Sequence, residues 1–296
     1  MTAGGPTVAV IGLGLIGGSL ARDLAARGTR VLGYDTDPEA LHGARAAGAV
    51  AETLSPNLAG VCDADTVVLA VPVAEAIATL ARLRPRLRAD TLVMDVCSTK
   101  RSITAAATAA GLERQFVGAH PLTGDHAGGW SASRRDLFAQ ARVYLCPNPA
   151  TPEALAEHAA GFWRRLGAEP VVIAADTHDR LLAFSSHLPQ ACAYALAATL
   201  AGAGVARADL GPGGRDTMRL AASPAGLWTG IMLDNAGEVR AALAALRAEL
   251  ALLEDALDRA DARQIQDLFD AARNWYRCDE RRPAAAEAAR GVVVDR

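Results

Sequence analysis

Long apolar runs are missing from this 296-residue chain. Hydrophobic residues make up 51% of it, yet no uninterrupted stretch approaches the roughly 18 residues that cross a bilayer, so no membrane span is expected. Charge of one sign is also missing. The 30 Lys and Arg and 33 Asp and Glu are interspersed, and the net charge of −3 argues against a nucleic-acid or membrane surface. Cysteine is scarce and odd in number: Cys62, Cys97, Cys146, Cys192 and Cys278 are scattered, with no C-x-x-C pair. That excludes a disulfide framework and a structural zinc site, and leaves the five as small apolar residues. His42, His158 and His178 have no metal-ligand spacing and read as surface positions, so no metal is expected. The opening residues Met1 to Pro6 lack a basic n-region and a signal-peptide pattern, which makes the cytoplasm the expected location.

What the chain does have is length for two domains and apolar residues for a large core. Thr7 to Ile11 is a β-branched run that fits a buried parallel strand. A helix from Ser19 to Arg27, closed by Gly28, separates it from a second strand, Arg30 to Tyr34. Further strands are expected at 66–70, 91–95, 115–118, 143–145 and 169–173, most of them separated by helical segments. This alternation predicts an α/β fold with a parallel, doubly wound sheet. After about Ala175 the texture changes. Asp176 to Arg277 shows no strand, and Leu181–Leu200 and Gly237–Asp258 read as helices around a break at 211–214. Val239, Leu243, Leu246, Leu250, Leu253 and Leu257 recur at helical spacing, so one face should be buried in a core or a dimer. The expected domains are 1–175, an all-helical 176–280, and a disordered tail over 281–296.

Gly12-Leu13-Gly14-Leu15-Ile16-Gly17 stands between the first strand and the first helix, and Asp35 closes the second strand. That context turns a weak glycine pattern into a dinucleotide site. Gly12 allows the tight turn, Gly14 lets the backbone approach a pyrophosphate, and Gly17 lets the helix pack on the sheet. The helix start, with Leu15 and Ile16, supplies N–H donors and positive dipole. Asp35 would accept from the adenosine ribose hydroxyls and repel a 2′-phosphate, so NAD is the expected cofactor. Val71 and Pro72, after the strand at 66–70, complete the expected cofactor-binding set.

Five phrases carry a resemblance: Gly12 to Ser19, Asp95 to Lys100, Ala119 to Gly124, Ser186 to Pro189 and Arg215 to Pro224. In that order and spacing, from about Val8 to Tyr276, the chain resembles the prephenate/arogenate dehydrogenases of tyrosine biosynthesis. The resemblance implies a Rossmann domain followed by an all-helical dimerisation and substrate domain. It also implies oxidative decarboxylation of prephenate, with hydride passed from C4 to NAD⁺, in a homodimer. Such chemistry asks for a base at the ring hydroxyl and cations at the carboxylates, roles suited to His and Arg.

By resemblance His120, expected just after a strand at the carboxyl edge of the sheet, is the catalytic histidine, and an unperturbed histidine would give an acid limb near neutrality. Ser98 is its hydrogen-bonding companion by the same resemblance; a helix N-cap is the competing role. His187 helps place the substrate, or is a buried core histidine. Arg219 matches the carboxylate-binding arginine, with Arg215 close enough to compete and a surface position as the alternative for both. Trp228 closes the pocket from a partner subunit, or packs in a helix core. The chain departs from the family pattern at Asp125-His126, near the expected substrate side chain. An acid there favours arogenate and a protonated histidine favours prephenate, so that preference stays open, as does a 4-amino-4-deoxyprephenate dehydrogenase. Dehydrogenases of 3-hydroxy acids or imines usually place a lysine in the helical domain, and residues 176–277 contain none. A non-catalytic NAD-binding sensor need not keep His120, Ser98 and Arg219 together.

Overall fold

The computed structural model describes residues 5–124 and 127–279, so Asp125, His126 and the expected tail lie outside the described residues. The chain divides into two compact units, Met1–Val239 and Arg240–Arg296. The first unit is built on an eight-stranded sheet: β1 (Thr7–Ile11), β2 (Arg30–Tyr34), β3 (Glu52–Thr53), β4 (Thr66–Leu69), β5 (Leu92–Asp95), β6 (Phe116–Pro121), β7 (Arg142–Pro147) and β8 (Glu169–Val172). Its helices are α1 (Leu15–Ala26), α2 (Pro38–Ala46), α3 (Val73–Leu83), α4 (Arg101–Ala109), α5 (Glu153–Arg165), α6 (Ala175–Leu182), α7 (Leu188–Gly202), α8 (Pro212–Met218) and α9 (Ala225–Asp234). A long helix, α10 (Ala236–Asp258), runs into the second unit, where α11 (Ala262–Asp279) follows.

The strand order is β3-β2-β1-β4-β5-β6-β7-β8. The order of succession reverses between the parallel neighbours β1 and β4, since β2 and β3 lie to one side and β4 onward to the other, and ligands of open α/β sheets bind at such a switch point, beyond the carboxyl ends of the strands. Alternate strand residues face opposite sides, which is why the strands read as continuous apolar runs. Val8, Val10, Val68, Met94 and Val117 join Leu20, Phe162 and Trp163 in one core layer. Ala9, Ile11, Val67, Leu69 and Val93 join Leu80, Leu83 and Ile103 in the other. Each fully buried Leu or Val contributes roughly 1.5–3 kcal/mol, so the two layers hold the sheet rigid beneath any site on its edge.

The parallel expectation holds from β3 across to β6 and fails beyond it. β7 pairs antiparallel with β6, and β8 runs with β7. A parallel return needs a crossover of a dozen or more residues, usually a helix. Between Pro121 and Arg142 the described chain holds only a short 3₁₀ turn, Trp130–Ala132, and it is pinned to α1 where Arg134 N donates to Ser19 Oγ at 3.0 Å and Asp136 N to Asp23 Oδ1 at 3.1 Å.

No strand follows β8 among the described residues. The helix expected over 181–200 is interrupted: a π-helical turn, Ala183–His187, joins α6 to α7. Single π-turns of this kind are frequent at functional sites. Along α10, Val239 is buried while Leu250 and Leu257 are 50% and 60% exposed. No helix among the described residues is long and apolar enough to cross a membrane.

Candidate active site

The nucleotide end is made of backbone. Gly12 has φ +96°, and a Cβ there would lie 2.3 Å from the Ala70 carbonyl oxygen. At Gly17 a Cβ would lie 1.9 Å from the Gly12 carbonyl oxygen, so any side chain would force α1 off the sheet. Gly14 is the opposite case: nothing lies within 4 Å of where its Cβ would be. It occupies the N-cap position of α1 without a side-chain cap, so the first N–H groups of the helix, at Leu15 and Ile16, have no capping side chain at the positive end of the dipole. Asp35 is half-buried. Its Oδ2 accepts from Leu13 N at 2.6 Å and its Oδ1 from Asp37 N at 2.8 Å, tying the glycine loop to the end of β2. Val71 and Pro72 follow β4, and the Val71 side chain borders Gly12. Open space at Gly14, uncapped N–H donors and a strand-end carboxylate together fit a dinucleotide.

The histidine end is made of side chains. His120 belongs to β6 itself rather than to the loop after it, because β7 pairs with the strand as far as Pro121. Its Nδ1 lies 2.9 Å from His178 Nε2. His178 Nδ1 lies 2.8 Å from Asp179 Oδ1. Asp179 in turn accepts from the backbone N–H of Lys100 and of Arg101, both at 2.8 Å. The carboxylate therefore caps the first turn of α4 from 78 and 79 residues away. Ser98 caps nothing: it is half-buried in the bend before Lys100, which occupies the N-cap position without a side-chain capping bond. The capping alternative for Ser98 is thereby removed.

His178 was expected at the surface and is fully buried, with the ring of Tyr144 against it at 5.6 Å. Metal-ligand spacing was the wrong test for it, since its partner comes from a strand 58 residues earlier. The signal available in the sequence was the His178-Asp179 pair in the first helix after the last strand. His187 is also buried. Its Nδ1 lies 3.2 Å from Asn235 Nδ2, and the Trp228 ring stands edge-on at 6.1 Å. Trp228 thus packs on a histidine of its own chain. Asn235, likewise unforeseen, also donates to the Asp179 carbonyl oxygen at 2.8 Å.

Arg215, in α8, and Arg219, just after it, are both exposed. Gln190, on the turn of α7 after His187, donates to the Leu220 carbonyl at 2.7 Å and so ties the segment carrying Arg219 to that helix. The only lysine of the chain, Lys100, is fully buried and paired with Asp95, whose Oδ1 also accepts from Ala119 N at 3.2 Å.

Electrostatics follow from the packing. His120 is half-buried, and crowding by protein, then His178 and Lys100, pushes it well below the ordinary histidine value. Burial lowers His178 despite Asp179, and lowers His187 to about 4. Burial works against the Asp179 charge, but the bonds from His178, Arg101 and Lys100 outweigh it and hold the carboxyl below its usual range. Burial also opposes the Lys100 charge, and Asp95 more than offsets it. Desolvation raises Cys97 well above an ordinary thiol and Cys146 to about 12, which leaves both inert. No group of three or more potential metal ligands occurs among the described residues.

The chain has known relatives in sequence and in fold. Residues 20–172 match the prephenate dehydrogenase nucleotide-binding domain, and residues 174–271 match the prephenate dehydrogenase dimerization domain. The chain belongs to the prephenate dehydrogenase family. It is 32% identical to a cyclohexadienyl dehydrogenase of Zymomonas mobilis over 88% of this chain and 92% of that one. A solved prephenate dehydrogenase from A. aeolicus, in complex with hydroxyphenyl propionate and NAD⁺, superposes with a TM-score of 0.86 at 27% identity, covering 95% of this chain and all of that one. The Synechocystis arogenate dehydrogenase gives 0.80 at 27% identity over 93% and 99%. The chain is thus an oxidoreductase with a Rossmann-type nucleotide-binding domain followed by a helical dimerization domain.

Proposed function

We propose that this protein catalyses the NAD-dependent oxidative decarboxylation of prephenate to 4-hydroxyphenylpyruvate. The observation that carries the reading is a neutral histidine, His120, at the carboxyl end of β6, on the sheet edge that also bears the glycine loop after β1. Gly12, Gly14, Leu15, Ile16 and Gly17 would hold the pyrophosphate on backbone N–H groups, and Asp35 the adenosine ribose; Val71 and Pro72 border the loop. When bound, the nicotinamide supplies the two-electron acceptor for the hydride of C4.

The residues of the chain do the rest. His120 takes the hydroxyl hydrogen as the ring is oxidised. Loss of the ring carboxylate as carbon dioxide makes the ring aromatic, and His120 returns the proton to the phenolic oxygen, so the step releases no net proton. A base that borrows a proton must start neutral, which is what the crowding around His120 ensures. Ser98, in the bend after β5, would bond the same hydroxyl. His187 and Trp228 would border the substrate, and Arg219, ahead of Arg215, would anchor a carboxylate through a bidentate pair. Asp125 and His126 are assigned to the side-chain wall on sequence alone. A homodimer, formed through the helical region, is part of the proposal.

Purified protein assayed with NAD⁺ and NADP⁺ against prephenate and arogenate in parallel tests the reading. Preferential turnover of prephenate with NAD⁺ supports it. Turnover of arogenate alone would replace the substrate while keeping the enzyme, and no cofactor reduction with either would overturn the proposal.

A further inference from the structure

Asp179 is bonded through both its side chain and its main chain, and each set leads to a different histidine. On the side-chain branch, the carboxylate can only accept. It already accepts from two backbone N–H groups, so the contact at 2.8 Å requires His178 Nδ1 to carry a hydrogen. In neutral His178, Nε2 then bears the lone pair and must be the acceptor at 2.9 Å, so His120 Nδ1 carries the hydrogen between the two rings. That leaves His120 Nε2 as a bare lone pair. On the main-chain branch, the Asp179 carbonyl also can only accept, which fixes the amide of Asn235 with its nitrogen inward. The second hydrogen of that nitrogen meets His187 Nδ1, which must therefore accept, and neutral His187 carries its hydrogen on Nε2.

We infer that Asp179 is a positioning residue that sets His120 and His187 in opposite tautomers, His120 with an accepting Nε2 and His187 with a donating Nε2. The inference rests on the dehydrogenase reading only for its use. One ring offers a base to the substrate hydroxyl, and the other offers a hydrogen-bond donor to an anionic or carbonyl oxygen. When His120 Nε2 takes the hydroxyl proton, the Nδ1 hydrogen can shift to His178 Nε2, placing the positive charge beside the Asp179 carboxylate; the reverse shift restores both rings as the proton returns to the substrate oxygen. The charged and titratable groups facing this chain are His178, Lys100 and His187 around His120, with Asp179, Lys100, Asp95 and the Tyr144 ring around His178.

Long-range ¹H–¹⁵N correlation spectra of the full-length, substrate-free protein labelled in histidine read each tautomer directly. Assignment comes from the peaks lost in His120→Asn, His178→Gln and His187→Gln. The expected pattern is Nδ1–H for His120 and His178 and Nε2–H for His187. Asp179→Asn should scramble His178 and His120 but leave His187 unchanged, because the main-chain carbonyl remains. In the same variant kcat should fall by on the order of 10²–10⁴, since a histidine left in the wrong tautomer loses most of its work as a base, with KM within about twofold. His120 as the Nε2–H tautomer, or His187 as Nδ1–H, would overturn the inference whatever the enzyme turns over. The expected tautomers in a protein that turns over no cyclohexadienyl substrate would instead sink the dehydrogenase reading and leave the tautomer assignment standing.

Discussion

The two ends of the sheet edge are built by different means. At the nucleotide end all of the cofactor set but Val71 and Pro72 lies within 35 residues of sequence, and the working groups are mainly main-chain N–H donors placed by glycines. At the histidine end the working groups are side chains, and their bonds join residues 48, 56, 58 and 79 positions apart. A backbone cradle is specified by local conformation, so it tolerates changes elsewhere. A chain of buried polar side chains depends on every partner, because each unsatisfied member costs its full desolvation. The nucleotide end should therefore fail by steric change and the histidine end by loss of a proton partner.

The largest test of that contrast is His120→Asn, which keeps shape and hydrogen bonding but removes the base. We expect kcat to fall by about 10²–10⁴ while cofactor affinity stays within about twofold, measured by steady-state kinetics and a binding titration. In the unmodified enzyme the acid limb of kcat/KM should lie well below neutrality, displaced from the sequence-based expectation because crowding holds the ring neutral. A limb near 6.5 that persists in His120→Asn would assign the titration to another group.

Lys100→Met should come next. It strands a buried Asp95 carboxylate, and breaking a buried pair from one side costs ~3–5 kcal/mol, read as a shift in denaturation midpoint. A loss below about 1 kcal/mol would mean that the pair with Lys100 does not carry the stability assigned to it.

Asp35→Ser should act on the other end alone. The NAD⁺ over NADP⁺ preference should narrow by about tenfold or more, since one charge-assisted contact and one repulsion vanish, with the pH profile unchanged. An unmodified protein using both cofactors equally would remove Asp35 from the ribose.

The smallest effect is on stability in acid. His120, His178 and His187 are all lowered in the fold, so the unfolded chain binds more protons between their folded values and 6.5. Stability should be intact above about 6.5 and decline as pH falls through the window, with the His187 share spent by about 4. Equal midpoints at pH 7 and pH 5 would contradict the buried neutral histidines.

The nucleotide end is legible in the order of residues: strand, glycine loop, helix and Asp35 are contiguous, and their geometry follows from local backbone rules. The sequence by itself also determined the α/β-then-helical order and the candidacy of His120 and His187, through phrases in a recognisable order. Tertiary structure alone decided the rest. β7 reverses because the described residues of its connection hold no crossover helix, a choice invisible in the strand residues themselves. His178 looks like a surface residue until α6 lays it beside β6. Asp179 caps a helix that begins 78 residues earlier, where a sequence search for a cap inspects only the preceding few residues. Asn235 joins the site through a main-chain carbonyl, which every residue has and no sequence pattern marks. Backbone conformation is encoded by neighbours and so can be read locally; hydrogen-bond partners of buried side chains are chosen by packing, and exist only once the core has closed.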